Sequence, residues 1–177
     1  MTMIRILVIP VIVCLLFFTG RTASIAAALL YVLASLTDIV DGYLARKMGI
    51  VTHLGRFLDP MADKLLMTSA LIMLIGLHRA PAWMVTIIIG REIAVTGLRG
   101  IAATEGIIIS ASKLGKYKTL SQTVAIVLLI LHYSLFSLPV HQLGMIFLWI
   151  ALIMTVWSGI DYFVRFFKEA FSPNPHS

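Results

Sequence analysis

Charge is scarce in this chain. Only 12% of its 177 residues are Asp, Glu, Lys or Arg, and 60% are hydrophobic, whereas soluble domains carry about 25% charge. With a mean hydropathy of +1.00, the chain has more apolar sequence than one globular core of this size can bury, so lipid must be part of its solvent. The single cysteine, Cys14, excludes an internal disulfide. No internal repeat and no alternating barrel pattern is visible. The net charge of +6 is spread between apolar runs, which argues against nucleic acid and for anionic lipid or phosphate-bearing substrates.

What is present is a series of apolar segments, predicted as helices because an isolated strand cannot satisfy its backbone in lipid. They cover 4–20, 22–46, 57–77, 81–104, 116–138 and 142–167. A signal peptide is the plainer reading of the first, but the next apolar run follows at once, at Ala23. The expectation is therefore an all-α integral membrane protein with six transmembrane helices. It forms one membrane domain over 1–171, with a frayed tail over 172–177. Basic residues set the orientation. Arg5, Arg46, Lys47, Arg56, Lys64, Arg99, Lys113, Lys116, Lys118, Arg165 and Lys168 fall on one side, and Arg21 and Arg79 on the other. Both termini are expected in the cytoplasm.

Half of the eight acidic residues lie between 38 and 63. Asp38 and Asp41 are three apart and Asp59 and Asp63 four apart, so each pair projects from one helical face. A short connection returns the second pair beside the first. Four converging carboxylates repel unless cations are present, and hard divalent cations with oxygen ligands serve phosphate chemistry. Gly42 leaves room for a ligand near the backbone, and Arg46 offers a fork of donors to phosphate oxygens. The plainer reading is a set of interfacial carboxylates pairing with Arg46, Lys47, Arg56 and Lys64. Two face-matched pairs with glycines between them favour the metal site.

The run D-x2-D-G-x2-A-R-x8-G-x3-D-x3-D, from Asp38 to Asp63, resembles the signature of the CDP-alcohol phosphotransferase family at every specified position. The resemblance implies two divalent metal ions, Mg²⁺ or Mn²⁺, held by Asp38, Asp41, Asp59 and Asp63. Asp63 would also be the base that deprotonates the acceptor. Gly42, Arg46 and Thr52 would contact the CDP moiety. The implied reaction is attack of an alcohol oxygen on the lipid-bearing phosphorus of CDP-diacylglycerol, with CMP leaving. Homodimers are common in the family, and the expected location of this chain is a bacterial plasma membrane with the active site facing the cytoplasm. One departure is that the family's N-x2-T-x2-R element fits Thr2 and Arg5, but its asparagine would precede Met1.

A second polar set concerns the acceptor. Arg91-Glu92, Thr96 and Arg99 lie in the fourth segment, followed by Lys113, Lys116, Lys118, Thr119 and Gln122. Ionisable residues within a span are functional by default. Arg91 and Arg99 are two turns apart and, with Lys113, Lys116 and Lys118, can form a basic pocket for an acceptor that carries its own phosphate. Plainer readings are an ion pair at Glu92 that fixes packing and a headgroup-facing lysine loop. The pattern R-E-I-x5-L-R followed by G-K-x-K-T resembles the phosphatidylglycerophosphate synthases within the family, which implies sn-glycerol 3-phosphate as acceptor. Phosphatidylglycerol, inositol phosphate and serine are the alternatives. A divalent-metal transporter would place its acids near the bilayer midplane on broken helices, and an assembly factor would not need the signature at all. His53 reads as a loop histidine, and Asp161 as a structural residue paired with a base on a neighbouring helix.

Overall fold

The computed structural model describes residues 2–18, 20–48, 53–104, 113–133 and 138–170, with side chains from Ile6 onward except those of 38–60, 103–114, 116 and 170. Among the described residues the chain is all-helical: α1 (Thr2–Phe17), α2 (Arg21–Met48), α3 (His53–Gly76), α4 (Ala82–Thr104), α5 (Lys113–Leu131) and α6 (Val140–Ala170). The helices match the apolar segments in number and order. α2, α3 and α6 run two to four residues past the predicted apolar segments, because helical backbone hydrogen bonding continues past the point where hydrophobicity stops, whereas α5 ends at Leu131, short of the predicted 138.

Short links make successive helices antiparallel. Lys64 of α3 reaches Thr96 of α4, while the turn joining those helices places Arg79 on the last carbonyls of α5, with Arg79 Nη1 donating to Ile130 O at 2.8 Å. One end of the bundle therefore carries the ends of α2 and α4 and the starts of α3 and α5, and the other carries the ends of α1, α3 and α5 and the starts of α2, α4 and α6. The α3–α4 turn closes through Arg79 N and Ala80 N, both bonded to Leu74 O. His78 sits there at φ 55°, the left-handed position that ends many helices.

α5 and α6 form the most intimate pair, helped by Gly144. A Cβ at that position would lie 2.9 Å from Leu129 Cγ and Cδ2. α4 is pinned to α6 by Trp83 and Trp149, edge to face at 5.5 Å. Ile12, Leu16, Tyr31, Leu71, Leu74, Met84, Ile88, Ile126, Leu129 and Leu148 fill the centre. Every helix also turns large apolar side chains outward, among them Leu7, Leu29, Ile72, Ile93, Leu120 and Ile153. Among the described residues one helix, Val140–Glu169, is long and apolar enough to cross a membrane, with mean hydropathy 2.1.

Candidate active site

The signature residues occupy facing ends of two helices. Asp38, Asp41, Gly42 and Arg46 lie on the final turns of α2, and Asp59 lies near the start of α3. Their side chains, and Thr52 altogether, are outside the described residues. Asp63 is described and half-buried. Across from it Tyr31 of α2 is 2% exposed. Tyr31 lies within electrostatic reach of Asp63, and Ser35 Oγ donates to the Tyr31 carbonyl at 2.9 Å. Among the described residues no three His, Cys, Asp or Glu side chains gather. The donor set of the signature is four aspartates, all oxygen, at the meeting ends of two antiparallel helices, and that chemistry fits hard divalent cations.

The second polar set converges between α4, α5 and α6. Glu92 takes Lys118 Nζ on its Oε1 and Arg91 Nη1 on the same oxygen, the latter at 3.4 Å. Arg91 Nη2 donates to Ser158 Oγ at 2.8 Å, and Ser158 Oγ in turn donates to Met154 O at 2.6 Å. Arg91 can lie flat on α6 because residue 159 is glycine: a Cβ there would stand 3.0 Å from Arg91 Cγ and 3.3 Å from Nε. Thr96 Oγ1 returns a hydrogen bond to Glu92 O and receives Lys64 Nζ from α3. Two cations thus share one carboxylate in a recess where Lys118 is 5% exposed. Arg91 Nε, both amide atoms of Gln122 and Thr155 Oγ1 are buried and find no hydrogen-bond partner among the described residues. Such a recess has spare donors and an excess of positive charge.

The whole-chain comparison decides the family. The CDP-alcohol phosphatidyltransferase model matches residues 1–157. A CDP-diacylglycerol–glycerol-3-phosphate 3-phosphatidyltransferase of Bacillus subtilis is 45% identical over 93% of this chain and 91% of its own length. A probable phosphatidylglycerophosphate synthase of Mycobacterium tuberculosis is 38% identical over 96% and 80%. A CMP-forming cardiolipin synthase of Oryza sativa is 31% identical over 95% of this chain and 56% of its own length. This chain belongs to the CDP-alcohol phosphatidyltransferase family.

For this transferase, the structure gathers some of the predicted acceptor residues and separates others. Arg91 and Lys118 meet at Glu92. Arg99, one of the predicted set, lies farther along α4 and is exposed, with its Cζ 5.2 Å from the centroid of the Tyr162 ring. Lys113 starts α5, and its side chain and that of Lys116 are outside the described residues. The ion-pair reading of Glu92 is correct in its geometry, since Glu92 links α4 to α5. Asp161 differs from expectation. Its partner is Arg165 on α6 itself, at 3.0 Å, because residues four apart share a helical face. His53 also lies outside the described side chains. Sequence reasoning passed over Ser158 and Thr155 as site residues, and it read Lys64 as a cytoplasmic base and a pairing partner for the aspartates. Lys64 had a signal, one residue after Asp63. Ser158 lies in the W-S-G-I-D-Y stretch from Trp157 to Tyr162, while Thr155 had no signal and is an ordinary helical residue until the helices pack.

Proposed function

We propose that this transferase moves the phosphatidyl group of CDP-diacylglycerol onto sn-glycerol 3-phosphate, forming phosphatidylglycerophosphate and CMP. The observation that carries the acceptor is the recess in which Arg91 and Lys118 share the single carboxylate of Glu92. An uncharged alcohol has no use for that surplus charge, whereas a phosphate does. The names of the Bacillus and Mycobacterium relatives support the same acceptor.

In this reading Asp38, Asp41, Asp59 and Asp63 hold two divalent ions, Mg²⁺ or Mn²⁺, which when bound neutralise charge on the pyrophosphate and the departing CMP. Gly42, Arg46 and Thr52 hold the CDP moiety. Arg91, Lys118, Lys113, Lys116 and Arg99 bind the acceptor phosphate. Asp63 takes the proton of the acceptor hydroxyl as its oxygen attacks the lipid-bearing phosphorus, and the bond from that phosphorus to the CMP oxygen breaks. The apolar side chains exposed on all six helices support six membrane-embedded helices forming one domain over 1–171, since water would not tolerate so continuous an apolar surface. The basic asymmetry supports cytoplasmic termini and a catalytic end facing the cytoplasm.

The rice relative, named as a cardiolipin synthase, favours a second reading with phosphatidylglycerol as acceptor. Release of CMP by the purified protein, measured with CDP-diacylglycerol, Mg²⁺ or Mn²⁺ and a panel of alcohols, separates the two. CMP with glycerol 3-phosphate alone is the expected result. Release only with phosphatidylglycerol transfers the assignment to the second reading, and silence with every acceptor defeats both.

A further inference from the structure

At the end of the bundle opposite the aspartates, the α3–α4 turn and the start of α6 enclose a cleft of about 430 Å³, lined by Ile75, His78, Arg79, Ala80, Pro81, Ala82, His141 and Met145. Arg79 is 8% exposed there, and burial works against its charge. Its Nη1 donates to Ile130 O, and the neutral phenol of Tyr133 lies within electrostatic reach of it. No carboxylate is available to balance it. The sequence has no Asp or Glu anywhere in 64–91 or in 106–160, so neither the α3–α4 turn nor the α5–α6 connection can supply one. The C-terminal dipole of α5, which Arg79 caps, offers at most about half a charge.

The surroundings add positive potential. The first i→i−4 backbone bonds of α4 and α6 run from Val85 N to Pro81 O and from Leu143 N to Pro139 O. The amides of Ala82 to Met84 and of His141 and Gln142 precede them, at the positive ends of two long helices that begin at this cleft. His78 and His141 line it, and His132 lies within electrostatic reach of both Arg79 and His141. His78 is held at φ 55°, a conformation disfavoured for a residue with a Cβ. The chemistry does not suit a metal, because Arg79 would repel one. A buried guanidinium without a countercharge, two helix N-termini and two imidazoles at one opening call for an anion.

We propose that this cleft binds a phosphate group, carried by the headgroup of an anionic phospholipid in the leaflet opposite the catalytic end. Ile75, Ala80 and Met145 give it an apolar wall on which the glycerol and first acyl carbons rest, a wall of no use to free phosphate. The site is separate from both substrate sites. It rests on the membrane reading of the chain and not on the choice of acceptor.

The test uses the purified full chain in dodecyl maltoside, a detergent without phosphate, with its five histidines followed by NMR and assigned through single His→Gln substitutions. The probes are dihexanoyl-phosphatidylglycerol, inorganic phosphate and, as a neutral control, dihexanoylglycerol. Saturable shifts of His78 and His141 with the short-chain phosphatidylglycerol are expected. They should weaken about tenfold in apparent affinity in Arg79→Gln, as loss of a charge-assisted hydrogen bond implies. They should persist in Lys118→Met, which disables the other phosphate-binding recess. Saturation by inorganic phosphate at the same concentration keeps the phosphate site and removes the lipid assignment. Equal shifts with dihexanoylglycerol, no shift with any probe, or unchanged affinity in Arg79→Gln overturn the proposal. If Arg79→Gln does not fold, His78→Asn/His141→Asn replaces it. That double variant should lose most of the thermal stabilisation that phosphatidylglycerol gives the wild-type protein, and full retention has the same overturning force.

Discussion

Glu92 is the residue that draws Arg91 and Lys118 together. Its side chain is 13% exposed and stands between those of Arg91 and Lys118, which as side chains are 14% and 6% exposed. Removing one member of a buried pair leaves the other charge uncompensated, and here two would be left. Glu92→Gln should therefore lower stability by on the order of 3 kcal/mol, the lower end for such a disruption because the group keeps some solvent contact. Thermal unfolding in detergent measures it. If the recess takes a phosphate, saturating glycerol 3-phosphate should restore more stability to Glu92→Gln than it adds to wild type, because the ligand brings the missing anion. Equal gains in the two proteins would mean that the phosphate binds elsewhere. The same logic makes Ser158 more than a packing residue, since its Oγ holds the Nη2 of Arg91 in place.

At the scale of elements, two glycines on α6 do different work. Gly144 lets α6 close on α5: a Cβ there meets the buried Leu129 at 2.9 Å and Leu128 Cβ at 3.2 Å. Gly159 gives Arg91 its bed on the same helix, and the group it would displace is the stem of that flexible side chain. Gly144→Ala should therefore cost about 1–3 kcal/mol of stability through overpacking. It should leave the apparent KM for glycerol 3-phosphate near wild type in the protein that remains folded. Unfolding curves together with acceptor titrations check both parts, and a raised KM without loss of stability would contradict the assignment of Gly144 to packing. Loops matter as well. The α3–α4 turn joins two antiparallel helices, caps α5 through Arg79 and places His78 at the mouth of the second cleft.

For the whole molecule, the positions of polar and apolar groups follow one division. Apolar side chains face outward on all six helices, and the aspartates of the signature fall on the final turns of α2 and the first turns of α3, at one end of the bundle. If those aspartates hold divalent ions, exhaustive chelation should abolish CMP release, and Mg²⁺ or Mn²⁺ should restore it. The helical content by circular dichroism should stay unchanged, because the core from Ile12 to Leu152 is held by apolar side chains. Activity that survives chelation would remove the metal role from Asp38, Asp41, Asp59 and Asp63. The recess at Glu92 is one α5 turn from Gln122, whose amide atoms find no hydrogen-bond partner among the described residues.

The order and number of the helices, and the confinement of the acids to one end, were determined by sequence alone. Hydrophobic run length and carboxylate spacing are local properties, and they survive whatever tertiary arrangement follows. The signature from Asp38 to Asp63 is likewise a linear pattern, and it identified the family before any packing was known. Tertiary structure decided which bases share a carboxylate. Arg91 and Lys118 are 27 residues apart and meet only because α4 and α5 both pack beside α6, while Arg99, on the same helix as Arg91, is drawn to Tyr162 instead. It also decided that Asp161 pairs within its own helix and that Arg79 is buried against α5. Spacing along one chain says which residues share a helical face. Which faces meet depends on the shapes of side chains, such as the missing Cβ atoms of Gly144 and Gly159, whose neighbours come from elsewhere in the chain.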